Sequence, residues 1–151
     1  MRKIILPLLA SLAVATPALA NEARVETRGG VYWMPGDSEA TAGVAAGYDF
    51  DLGSVAFTGV EVSADKILTS GTKVAFGFTG RAGAKVAGSK LFAATGYTTE
   101  PCTGCEGAWH LGAGAEVPLM GKIYGKVEYR HFFVDNFADS DSVVAGVGLK
   151  F

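Results

Sequence analysis

The sequence predicts an all-β fold: an eight-stranded antiparallel up-and-down transmembrane β-barrel, preceded by a cleaved signal peptide. Three observations carry that expectation. The first twenty residues have the layout of an export leader. Beyond them no window approaches the ~18–20 apolar residues of a spanning helix, so a membrane-inserted form has to be a closed barrel. The rest of the chain alternates apolar and polar residues in runs of about nine to twelve, the pattern of membrane strands.

In the leader, Arg2 and Lys3 precede the apolar run "IILPLLASLAVA", and "TPALA" offers Ala18 and Ala20 as an A-x-A site. Cleavage is expected between Ala20 and Asn21. The chain is then expected to divide into residues 1–20, the signal peptide, and residues 21–151, a single membrane-barrel domain. The mature part holds eleven basic residues against fifteen acidic ones, a net charge of −4. That balance excludes a generally basic nucleic-acid binder.

Eight strands are expected, at roughly 23–34, 42–52, 54–64, 72–84, 89–99, 107–117, 122–133 and 142–151. In the first, Arg24, Glu26 and Arg28 alternate with Val25 and Thr27. The second sets Asp49 against Tyr48 and Phe50, and the third Glu61 against Val60 and Val62. The fourth places Lys73 and Arg81 opposite Val74, Phe76 and Phe78. In the sixth, His110 and Glu116 oppose Trp109, Leu111 and Val117; in the seventh, Lys126, Glu128 and Arg130 oppose Val127 and Tyr129. The last strand, "SVVAGVGLKF", ends the chain on Phe151. Between strands, "PGDSEATA", "DKILTSG", "TEPCTGCEG" and "DNFADSDS" read as long polar loops, whereas "LGS", "AKVAG" and "PLMGK" read as short turns. The termini then lie on the short-turn side.

Alternation alone fits either a soluble barrel with an apolar interior or a membrane barrel with a polar one. Three features favour the membrane form. The polar face is rich in glycine and carries charges of both signs, as a crowded lumen of paired charges requires. Trp33, Tyr48, Phe50, Tyr97, Trp109, Tyr129, Phe133 and Phe151 gather near strand ends, as interfacial girdles do. The chain also finishes as a strand rather than a tail.

With these segments, "GAGAEVPLMGKIYGKVEYRH" above all, the chain resembles the small outer-membrane β-barrel proteins of proteobacteria, the OmpA-transmembrane and OmpX-like group, also called porin-family or opacity-type surface proteins. The resemblance covers nearly the whole mature chain. It implies residence in a Gram-negative outer membrane. It also implies that Val143, Ala145, Val147, Leu149 and Phe151 form the signal read by the barrel assembly machinery.

By parity the lumen is expected to hold Arg24, Glu26, Arg28, Asp49, Glu61, Lys73, Arg81, Lys90, Glu116, Lys126, Glu128, Arg130 and Lys150. An eight-stranded barrel is only wide enough for side chains to fill it, so these charges should pair as a plug. Cations outnumber acids in this set, and any leak is expected to favour anions. Cys102 and Cys105 lie in an exported loop without a second cysteine pair, and a local disulfide is expected. The long loops read as acidic, with Asp37, Glu39, Asp65, Glu100, Glu106, Asp135, Asp139 and Asp141 against Lys66. No metal site, cofactor or catalytic residue is expected: His131, near Asp135 and Ser140 or Ser142, matches no recognisable lipid A deacylase or palmitoyltransferase pattern. The expected partners are outer-membrane lipid, lipopolysaccharide and the assembly machinery, with no nucleic acid and a monomeric state. The expected role is structural or at the surface. The alternatives are a narrow porin-like channel and, more distantly, a lipid A-modifying enzyme.

Overall fold

The computed structural model describes residues 21–136 and 138–151; the predicted signal peptide lies outside them. Eight strands follow one another: β1 (Glu22–Met34), β2 (Asp37–Leu52), β3 (Ala56–Ile67), β4 (Ala75–Val86), β5 (Ser89–Thr98), β6 (Ala108–Met120), β7 (Ile123–Phe133) and β8 (Ser140–Lys150). Each pairs antiparallel with the next, and β8 pairs with β1 from Lys150 opposite Arg24 to Asp141 opposite Trp33, closing the barrel. Closure leaves no sheet edge with unpaired backbone groups, as a membrane span demands. The final residue is also tied down, because the Phe151 amide donates to the Ala23 carbonyl at 2.9 Å.

The period-two pattern of the sequence becomes two faces. In β4 the inward residues Ala75, Gly77, Thr79 and Arg81 are covered, while Phe76 and Phe78 stand in the open, Phe78 58% exposed. The same outward face carries Val44, Val60, Val62, Leu91, Leu111, Val127, Val147 and Leu149. Large apolar side chains in the open on every strand suit a lipid surround, and the core of the protein is its lumen. Trp33, Tyr97, Trp109 and Phe133 crown one end of this face, and Tyr48, Phe50 and Phe151 the other.

Several boundaries differ from those the sequence predicts. "PGDSEATA" is not a long loop. Only Pro35 and Gly36 connect β1 to β2, with Gly36 in the left-handed region at φ +86° that favours glycine. β3 extends to Ile67 and so takes in Asp65 and Lys66, and β4 starts only at Ala75, leaving Lys73 outside it. The connections at this end are thus residues 35–36, 68–74, 99–107 and 134–139. The opposite end holds both termini and the turns 53–55, 87–88 and 121–122.

Candidate functional site

Lumen charges meet across a strand that separates them, and glycine makes room. Gly43 on β2 is registered with both Arg28 on β1 and Asp65 on β3. Arg28 reaches over it to donate Nε and Nη2 to Asp65 at 2.8 and 2.5 Å. A Cβ on Gly43 would stand 2.1 Å from Asp65 Oδ1. Gly47 separates Arg24 from Glu61, which bond at 2.7 Å. Gly59 separates Asp49 from Arg81, whose Nε donates to Asp49 at 2.9 Å. Gly148 lies between Tyr124 and Glu26, and the phenol donates to the carboxylate at 2.8 Å. The glycine-rich polar face of the sequence is therefore what lets long side chains lie across neighbouring backbone.

Glu61 is the hub of the middle layer. Four cations lie on its carboxylate: Arg24 at 2.7 Å, Arg28 at 3.0 Å, Lys126 at 3.1 Å and Arg130 at 2.9 Å. Lys126 also touches Glu26 at 2.5 Å and Glu128 at 3.2 Å, and Arg130 Nε donates to Glu128 at 2.5 Å. All seven side chains are buried. Charges taken out of water this completely require mutual pairing, since a lone one would carry its whole desolvation cost.

Towards the termini a second cluster joins the first. Arg81 also pairs with Glu116 at 3.1 Å, and Lys90 bridges Asp49 at 2.7 Å and Glu22 at 2.6 Å. Lys150 pairs with Glu116 and, at 3.2 Å, with Glu22. Aromatic faces complete the coordination: the Arg81 guanidinium lies 4.9 Å from the Phe92 ring centre and 5.3 Å from that of Phe57, a cation–π arrangement. The lumen is therefore filled from the terminus end to mid-barrel.

The structure brings together Arg24, Glu26, Arg28, Asp49, Glu61, Arg81, Glu116, Lys126, Glu128 and Arg130. It does not bring in Lys73, which precedes β4 and forms a surface pair with Glu100, both about half exposed. Asp65, read as an acidic loop residue, is instead the partner of Arg28. Its parity with Glu61 was the available signal. Glu22 and Asp65 also remove the expected surplus of cations. Arg24, Arg28, Arg81, Lys85, Lys90, Lys126, Arg130 and Lys150 face Glu22, Glu26, Asp49, Asp51, Glu61, Asp65, Glu116 and Glu128, eight against eight. An anion preference thus has no basis in the lumen charge.

His131 lies with Asp141 at 2.8 Å and Asp139 at 3.5 Å on the outer side of β7. Ser140 and Ser142 are buried on the inner side of β8, Ser140 bonded to Tyr32 at 2.5 Å, so the serines and this histidine occupy opposite faces. His110 points inward, between Thr79 at 3.0 Å and Thr98 at 3.1 Å. Val143, Ala145, Val147 and Leu149 face outward, and Val144 between them is buried.

Above the ion-paired layers the lumen opens into a cavity of about 480 Å³. Arg28, Asp65 and Arg130 form its floor, and Tyr32, Ile67, Phe132 and Val144 line its wall. Cys102 and Cys105 are joined by a disulfide in a segment that lines its outer part. That segment is tied to its neighbour by pairing of Cys102 with Thr72 and by the Lys73 amide donating to the Pro101 carbonyl at 2.8 Å.

No protein-family model matches the chain. The 25 kDa outer-membrane immunogenic protein of Brucella ovis is 31% identical over 149 residues, spanning 87% of this chain and 71% of that protein. The N-terminal β-barrel domain of Pseudomonas aeruginosa OprF superposes with a TM-score of 0.64 at 13% identity, over 86% of this chain and 97% of the domain. Neisserial surface protein A gives 0.58 at 12% identity, over 87% and 97%. These two structures share the fold.

Proposed function

The chain belongs to the family of small outer-membrane β-barrel proteins that includes the Brucella 25 kDa outer-membrane immunogenic protein, and we propose that within it this protein is a structural surface barrel whose lumen is plugged. The observation that carries this reading is the convergence of Arg24, Arg28, Lys126 and Arg130 on Glu61, with all their charges partnered in the middle of the lumen. Opening a path would require separating several buried pairs at once, and each unpaired buried charge costs several kcal/mol.

In this reading residues 1–20 export the chain and are removed after Ala20. The assembly machinery reads Val143, Ala145, Val147, Leu149 and Phe151. The inserted monomer presents its apolar face to outer-membrane lipid and lipopolysaccharide, with the long loops outside the cell and no role towards nucleic acid. Catalysis is not part of it, because His131 and the serines nearest in sequence occupy opposite faces of the wall.

Solute flux into liposomes carrying the folded protein tests the proposal. Protein-loaded and empty liposomes are expected to swell at the same rate in small sugars and amino acids. Faster swelling with protein present would favour a narrow channel instead.

A further inference from the structure

The cavity above the plug differs in chemistry from the layers beneath it. Its wall is mostly apolar, yet its floor exposes hydrogen-bond donors that the plug does not use. Arg130 commits Nε to Glu128 and Nη2 to Glu61, which leaves Nη1 without a hydrogen-bond partner among the described residues. Ser142 stands directly opposite Arg130 in the β7–β8 register, and its hydroxyl makes no hydrogen bond among the described residues. Both residues line the cavity and both are 4% exposed. Neither donor is among the buried polar atoms left without a partner in the described residues, which are Arg24 Nε and Nη2, Glu26 Oε1, Ser63 Oγ and Glu116 Oε1. Both open onto the cavity, where two donors side by side form a site that an acceptor would satisfy.

The neighbouring carboxylates are already engaged. Asp65 directs both oxygens to Arg28, and Glu61 Oε1 accepts from Arg28 and Arg130. The free capacity of the floor is therefore that of a donor pair carrying part of a guanidinium charge. An anionic acceptor with two oxygens matches it, and charge-assisted bonds of this kind are the stronger ones. The apolar wall above takes a hydrocarbon tail, and the volume falls within the range of pockets that hold small organic ligands. We infer that the outer half of the barrel is a binding site for a medium-chain fatty carboxylate, its head on Arg130 and Ser142 and its tail towards the disulfide-bonded segment.

The site is independent of conduction, because its floor is the plug itself. The test uses the folded protein in phospholipid nanodiscs with decanoate bearing a photoreactive group at its tail, the labelled residues being mapped by mass spectrometry. The expected result is labelling of inward residues such as Ile67, Phe132 or Val144. Excess decanoate should displace the label, and decanol should need roughly tenfold higher concentration, since it lacks the charged head. Ser142→Val should lower labelling several-fold while the barrel keeps its β-sheet circular dichroism. Should that variant fail to fold, the decanoate–decanol comparison on the unaltered protein still decides. Labelling confined to outward residues such as Leu111 or Val127, or equal displacement by decanol, would overturn the inference.

Discussion

Arg28 and Asp65 stand on strands that do not pair with each other, and they bond because the residue between them is Gly43. The same geometry recurs at Arg24–Gly47–Glu61 and Asp49–Gly59–Arg81. A long charged side chain that passes over a neighbouring strand to its partner needs a small residue beneath it, because an eight-stranded lumen is filled by side chains. The small inward residue is thereby part of the ion pair.

Gly43→Val places a side chain where Asp65 Oδ1 and the Ala64 carbonyl now sit, 2.1 and 2.6 Å from the new Cβ. Arg28 then loses Asp65 and keeps Glu61 as its close partner. The expected destabilisation is about 1–3 kcal/mol, the cost of overpacking a filled interior, read as a lower urea midpoint for the folded form in vesicles.

Glu61 and Lys73 make a controlled contrast, since the alternation of the sequence put both in the lumen. Glu61→Leu leaves four buried cations short of a carboxylate and should cost about 3–5 kcal/mol. Lys73→Ala removes only an exposed pair with Glu100 and should change stability by less than about 1 kcal/mol. Equal losses in urea titrations of the two variants would mean that the lumen network does not hold the barrel together.

The disulfide closes a very short loop, so its removal should act locally. The chain-entropy model gives it about 2 kcal/mol at most. Cys102→Ser with Cys105→Ser should leave the barrel folded but loosen the pairing of residue 102 with Thr72. Trypsin cleavage after Lys73 should accelerate several-fold in the variant. Unchanged cleavage kinetics would show that the segment is held by other contacts.

Phe151 is outward-facing and 65% exposed, with its backbone fastened to Ala23. A charge near the membrane interface costs a barrel only about 0–1 kcal/mol, so Phe151→Glu should fold in detergent much as the parent does. In cells the same variant should accumulate in the periplasm, as fractionation would reveal. Normal insertion would deprive the terminal residue of its role in assembly.

The mid-strand residues of the candidate site were legible because one face must meet lipid and the other must not, and a single misplaced charge is intolerable there. Thr79 and Arg81 on β4, or Lys126, Glu128 and Arg130 on β7, could be assigned from parity alone. Beyond the apolar band that constraint lapses. β2 continues through Asp37, Glu39 and Thr41 with polar residues on both faces, and so looked like a loop. Asp65 was hidden by the same loss of contrast, and with it the charge balance of the lumen. Inward aromatics escaped for a different reason. Phe57, Phe92 and Tyr124 have the right parity, yet composition gave no hint that rings would pack against Arg81, Lys90 and Lys150. The cavity was not legible at all, because it depends on how the four connections at that end are arranged around the mouth.

Planar-bilayer recording of the folded protein, beside Glu61→Ala, tests the plugged lumen most directly. The parent should be silent, and the variant, lacking the carboxylate on which four cations converge, should show intermittent ion-selective steps. Stable, reproducible steps from the parent itself, unaltered by the substitution, would contradict a lumen closed by this network.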